Sequence, residues 1–294
     1  MSLTGSILFL LYFLVVPGEL AYASASVHSA ELTIHYEEGL QNLAREVMGL
    51  YPLTRAEVTD ELHLNADFRP EVVFIRERRT FRKISGSDVI VAFAVPERNL
   101  IVMDASRVYE KPFTLETTLK HELCHLVLHR NISRENLPRW FDEGVCQWST
   151  GGIAELMGAQ DDKSLANAVI SHNLIGLAEL QRFPADTKSM ILAYEESKSA
   201  IEYIMKEYGR KRFIGILRSL EKGEPMEVAL QNNLSEGLYG LESKWRDYLE
   251  RKYTWFAYLS SNLYTLIFLF GAIITVYGFI RLLRRKKEYT DEEG

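Results

Sequence analysis

Short strand-like runs dominate the first third of the chain. ELTIHY (31–36), EVVFIR (71–76), DVIVAFAV (88–95) and NLIVMD (99–104) are rich in β-branched and aromatic residues, with period-two spacing or brief continuous apolar stretches. Such runs predict strands. Pro96-Glu97-Arg98 separates the last two. GLQNLAREVMGLY (39–51) repeats its apolar residues at helical spacing and predicts a helix between the first two strands. Beyond residue 114 the patterns are nearly all helical. A small mixed sheet with one helix, followed by helices, is an α+β arrangement.

Two long apolar runs flank this region. ILFLLYFLVV, from Ile7 to Val16, is too short to span a bilayer and suits the apolar core of a secretory signal peptide over residues 1–25. Ala21-Tyr22-Ala23 and Ala23-Ser24-Ala25 read as cleavage sites, although MSLTG lacks the usual basic residue, and an uncleaved anchor is the alternative. Near the other end, Trp255 to Ile280 carries no charge, and Arg281, Arg284, Arg285, Lys286 and Lys287 follow at once. That pattern predicts one transmembrane helix over 254–281. The expected topology is single-pass: an ectodomain over 26–253 outside the cytoplasm, periplasmic or extracellular, and a cytoplasmic tail over 282–294.

Composition changes this picture little. Of 294 residues, 47% are hydrophobic and 25% charged, enough for an ordinary core. A net charge of -6, with no basic stripe interleaved with aromatics, gives no reason to expect a nucleic-acid partner. No repeat or low-complexity tract is present.

The candidate chemistry lies in TLETTLKHELCHLVLHR (114–130). Thr114 suits an N-cap, no Pro or Gly interrupts, and Leu115, Leu119, Leu123, Leu126 and Val127 form an apolar stripe. On this helix His121 and His125 lie about 6 Å apart along the axis and share a face. Two imidazole nitrogens can then approach one zinc ion at about 2.0 Å each. Glu122 is turned from both by about 100° and is a candidate base rather than a ligand. His129 lies about 12 Å beyond His121 along the axis, too far to share one ion with it. It reads as a surface residue near the helix end. His28 and His172 have no motif around them.

A catalytic zinc keeps three protein ligands and one open position. LPRWFDEGVCQW (137–148) supplies the candidate third, with Pro138 near the start of a second helix and Gly151-Gly152 beyond its end. Glu143 follows His125 with 17 residues between, room for a loop and a return. Asp142 is the competing carboxylate.

These two segments together resemble gluzincins, the thermolysin-like zinc peptidases, and in particular the exported, membrane-anchored peptidase MA-like family. TLKHELCHLVL resembles the family's HExxH helix, LPRWFDEG its W-x-x-E-G third-ligand segment, and AYEESKSAIEYIMKEYGRKRFIGILRSL with LESKWRDYL its helical C-terminal part. The likeness covers roughly residues 31–250. It implies a zincin active-site helix in the α+β fold, one Zn2+ per chain on His121, His125 and Glu143, and a peptide or protein substrate. It also implies hydrolysis with Glu122 as general base. Tyr194, in AYEES, is the candidate oxyanion donor, since gluzincins carry a tyrosine in a comparable helix; the alternative is a core tyrosine beside Ile191, Ile201 and Ile204. DVIVAFAV is either an edge strand that receives an extended substrate or an ordinary internal strand.

Two departures stand out. Thermolysin has an Asp four residues after its ligand Glu, where this chain has Gln147, so no carboxylate support for a ligand histidine is expected there. The Gly-x-Met-Glu-Asn segment of the aminopeptidase branch is absent. An endopeptidase is therefore the first reading, with a catalytically silent gluzincin-fold binding module as the alternative. Cys124 and Cys146 read as two buried thiols, although an exported location would permit a disulfide.

Overall fold

The computed structural model describes residues 25–111, 113–151, 163–184, 186–261 and 263–291. The N-terminal apolar segment lies outside them. Five strands form one mixed sheet: β1 (Ala25–His28), β2 (Thr33–Tyr36), β3 (Glu71–Ile75), β4 (Ala92–Val95) and β5 (Leu100–Asp104), in the order β1-β2-β3-β5-β4. β2, β3 and β5 run parallel; β1 and β4 are the antiparallel outer strands. β3 and β5 are covered on both faces, which is why EVVFI and LIVMD read as nearly unbroken apolar runs.

Helix α1 (Gln41–Leu62) exceeds its predicted length, running through Pro52. Val58 and Leu62 continue the buried stripe of Leu43, Val47 and Tyr51. Each adds about 1.5–3 kcal/mol of burial, enough to offset the roughly 3 kcal/mol that an internal proline costs. Helix α2 (Arg78–Ser85), missed in the pattern because it is mostly charged, buries only Phe81 and Ile84. Those two pack with Val73, Ile75, Leu100 and Val102 on one face of the sheet. Strand β4 is shorter than predicted. The carbonyls of Asp88 and Ile90 accept hydrogen bonds from the Arg78 guanidinium instead of a neighbouring strand, at 2.9 Å for Ile90. Arg78 also pairs with the fully buried Asp104 at 2.8 Å.

The helical part begins with α3 (Leu115–Asn131) and α4 (Arg139–Ser149), followed by α5 (Lys163–Ile170), α6 (Thr187–Glu221) and α7 (Met226–Leu234). α3 packs on α1, on β4 and on α4, and α4 packs on α6. The expected single stripe on α3 is in fact a helix buried almost all round from Leu119 to Leu128, as suits an element at the centre of the fold. α6 is broken at Gly209, whose φ of 78° lies outside helical values. Residues up to Trp245 belong to one compact unit.

The second unit starts at Arg246, within α8 (Leu238–Ser261), and contains α9 (Leu263–Asp291). Among the described residues no helix is long and apolar enough to cross a membrane. Residues 267–280 of α9 are uncharged and exposed. Arg281 follows in the same helix. The transmembrane helix expected over 254–281 is therefore withdrawn from the fold, which keeps its α+β part. The single-pass membrane location, which needed that helix, goes with it.

Candidate metal centre

Local sequence fixes where α3 begins. The Thr114 hydroxyl accepts the Thr117 N–H at 3.1 Å, and the Thr117 hydroxyl accepts the Thr114 N–H at 3.3 Å, a reciprocal cap. Lys120 then ties α3 to α1 through Glu61 at 2.8 Å and Glu57 at 3.1 Å. This register turns His121 and His125 to one side. Both are buried, and their Nε2 atoms approach to 3.1 Å.

Helix α4 brings the third group. Trp140 is fully buried, and Phe141 and Trp148 stack against Phe213 of α6. Gly144 permits a close approach to α6: a Cβ there would lie 2.4 Å from the Ser197 carbonyl oxygen. This contact accounts for the glycine of the W-x-x-E-G segment. Glu143 beside it directs Oε2 to 3.4 Å from His125 Nε2 and 3.9 Å from His121 Nε2. Its Oε1 lies 3.2 Å from Arg139 Nη2 and accepts the Tyr194 hydroxyl at 3.5 Å. Arg139 also stacks over the Phe183 ring at 4.9 Å, and Phe183 meets Tyr194 edge-on.

The donor set fits a zinc ion. Four ligands about 2.0–2.1 Å from a tetrahedral zinc lie about 3.3 Å from one another. The three separations here, 3.1, 3.4 and 3.9 Å, bracket that value. Among the described residues Glu143 Oε2 is buried and accepts no hydrogen bond, a costly arrangement for a carboxylate oxygen that a cation would resolve. Among the described residues His125, His121 and Glu143 form one of two groups close enough to share an ion; the other is His125, Asp142 and Cys146. Cys146 is bonded to Cys124, so the second group lacks its thiolate. Glu122 is fully buried beside His121.

Asp142 is bonded to two histidines: its Oδ1 accepts from His125 Nδ1 at 2.8 Å, and its Oδ2 accepts from His129 Nε2 at 2.9 Å. His129 is thus half-buried and bonded inward rather than a surface charge. The carboxylate support that Gln147 cannot give comes from the residue preceding the candidate ligand. Helical geometry contained the clue, because adjacent side chains diverge by about 100°, so a second carboxylate beside Glu143 must face something else on α3. Cys124 and Cys146 are joined in a disulfide, Cα–Cα 5.5 Å, where two free thiols were the plainer expectation. The crossing of α3 over α4, invisible in the sequence, brings them together.

The charges act in concert. Burial disfavours protonation of His125, but the Asp142 and Glu143 carboxylates more than offset it and raise its pKa well above the ordinary histidine value. Burial likewise opposes ionisation of Asp142. His125 and His129 overcome that and hold its carboxyl well below the usual carboxylate range. The cluster therefore attracts positive charge.

The family profile of the peptidase MA superfamily matches residues 90–251, more than half of the chain, and the chain belongs to that superfamily. Among solved structures it is similar to an M1 zinc metallopeptidase variant from Deinococcus radiodurans, at 14% identity and a TM-score of 0.44, over 76% of this chain and 51% of that one. It is also similar to a two-domain M1 zinc metallopeptidase variant bound to L-arginine, at 16% identity and a TM-score of 0.45, over 78% and 51%. The chain thus spans about half the length of these structures. No curated protein matches it in sequence.

Proposed function

We propose that the chain is a zinc-dependent endopeptidase, with His121, His125 and Glu143 holding one Zn2+ and Glu122 serving as general base. The observation that carries this reading is the convergence of His121 Nε2, His125 Nε2 and Glu143 Oε2 from two helices onto one point. Membership of the peptidase MA superfamily supports the same chemistry.

When bound, the zinc ion supplies a Lewis acid and lowers the pKa of a water molecule to about 7. The Glu122 carboxylate accepts a proton from the attacking water and returns it to the nitrogen of the departing amine. The Tyr194 hydroxyl, already directed at the cluster through Glu143, donates a hydrogen bond to the scissile carbonyl oxygen as negative charge grows there. Asp142 holds the His125 ring in place, and Arg139 steadies the outer oxygen of Glu143. Strand β4 is the outer strand of the sheet and packs beside α3, so an extended peptide or protein segment can pair with it by main-chain bonds. Such pairing does not require a free terminus, which favours internal cleavage.

A silent binding module would have no use for Glu122. The test is Glu122→Gln in the full chain, with zinc content and cleavage of a peptide library with blocked termini measured together. Zinc should stay near one equivalent while hydrolysis falls by about 10²–10⁴-fold. Loss of zinc with the fold intact would refute the assignment of Glu122 as base. Cleavage confined to peptides with free ends would refute the endopeptidase.

A further inference from the structure

We infer that His129 and Asp142 are positioning residues for the metal centre, with His129 deciding which of two adjacent carboxylates serves as ligand. The inference rests on the zinc site proposed above and adds two residues to it.

Asp142 and Glu143 are neighbours on α4, and both are largely buried near His125. Either could serve a cation by residue type. Only their partners differ. Both oxygens of Asp142 are taken by imidazoles one helical turn apart on α3, His125 Nδ1 at 2.8 Å and His129 Nε2 at 2.9 Å. Those distances are characteristic of charge-assisted hydrogen bonds. Glu143 keeps Oε2 without a hydrogen-bond donor among the described residues, facing both Nε2 atoms.

Two consequences follow from this division. By accepting from Nδ1, Asp142 fixes the His125 tautomer with a proton on Nδ1 and a lone pair on Nε2. Nε2 is the nitrogen that faces His121 and Glu143, so only this tautomer presents three donors to one ion. His129, by donating to Oδ2, prevents the Asp142 carboxylate from rotating toward the cluster and replacing Glu143. Without it, Asp142 retains one anchor and a buried oxygen in search of a positive partner. A cation at the cluster is the nearest remedy.

The test measures metal affinity of the full chain by chelator competition, together with the visible spectrum of the cobalt-substituted protein. Replacing an outer partner of a metal ligand typically weakens metal binding about 10–100-fold. His129→Leu should therefore lose at least tenfold in zinc affinity and shift the cobalt bands, as ligand identity or geometry changes. His129→Gln restores an N–H donor to Asp142 and should return the affinity to within threefold of the parent and restore the bands. A purely structural role for His129 would move neither the spectrum nor the difference between Leu and Gln. His129→Leu with parental affinity and an unchanged spectrum would overturn the inference while leaving the zinc site standing. A parent chain that binds neither zinc nor cobalt would overturn both. If the Leu variant does not fold, long-range proton–nitrogen NMR of the unaltered zinc-loaded chain decides. A proton on His125 Nδ1 is expected, and one on Nε2 would overturn the inference.

Discussion

Helix α4, which carries Glu143, closely approaches α6 at Gly144, and Gly144→Ala tests whether that proximity matters. The added Cβ would sit 2.4 Å from the Ser197 carbonyl oxygen and 2.8 Å from both the Ser197 carbonyl carbon and Ile201 Cγ1. Two of those three atoms are backbone in the middle of α6 and cannot rotate away. Ordinary contact begins near 3.4 Å, so α4 must withdraw by about 1 Å. Overpacking of this kind costs about 1–3 kcal/mol, which for a domain of this size lowers Tm by roughly 2–12 °C. Glu143, the adjacent residue, moves with the helix, and its 3.4 and 3.9 Å separations from the histidines change. Thermal unfolding followed by circular dichroism, with and without zinc, should show both a lower Tm and a smaller zinc-induced rise. Gly49→Ala is the control. Gly49 lies within α1 with nothing within 4 Å of its added Cβ, so the same substitution there should be neutral or stabilising by up to about 1 kcal/mol. If Gly144→Ala melted within 1 °C of the parent and responded equally to zinc, the close approach would have no structural role.

Three further outcomes are expected. Glu143→Ala should weaken zinc binding on the order of a hundredfold or more, beyond what loss of an outer partner causes; retention within threefold, read by chelator competition, would mean that Glu143 is not a ligand. Replacing Cys124 and Cys146 together by Ala removes a crosslink across 22 residues, worth about 3 kcal/mol in the chain-entropy account; urea unfolding with an unchanged midpoint would contradict it. Tyr194→Phe should keep zinc and KM near parental while kcat falls on the order of 10²–10³-fold; an unchanged kcat would leave Tyr194 as a core residue stacked on Phe183.

Periodic features were the ones legible in the chain. β-branched runs marked four of the five strands, because a strand buried on both faces must be apolar almost throughout. The four-residue spacing of His121 and His125 placed both on one helix face, because that follows from the helical repeat alone. Thr114 was readable as the start of α3, since capping is a local competition for the first N–H groups. α2 and β1 were missed. α2 is held by only two buried residues in a charged segment, and β1 is four residues long with no buried position.

What the tertiary structure decided was every relation between distant segments. In the sequence Glu143 was the candidate ligand and Asp142 the competing carboxylate. Only the placement of α4, held against α6 by Gly144 at Ser197 and by the aromatic contacts to Phe213, turns one toward two Nε2 atoms on α3 and the other toward two outer nitrogens. The same placement makes Cys124 and Cys146 a disulfide and draws His129 inward. The spanning helix is likewise not carried by the fold: among the described residues no helix is long and apolar enough to cross a membrane, which a count of uncharged residues did not reveal. Local chemistry is written residue by residue, but the direction of a side chain depends on the packing of elements that the chain brings together only when it folds.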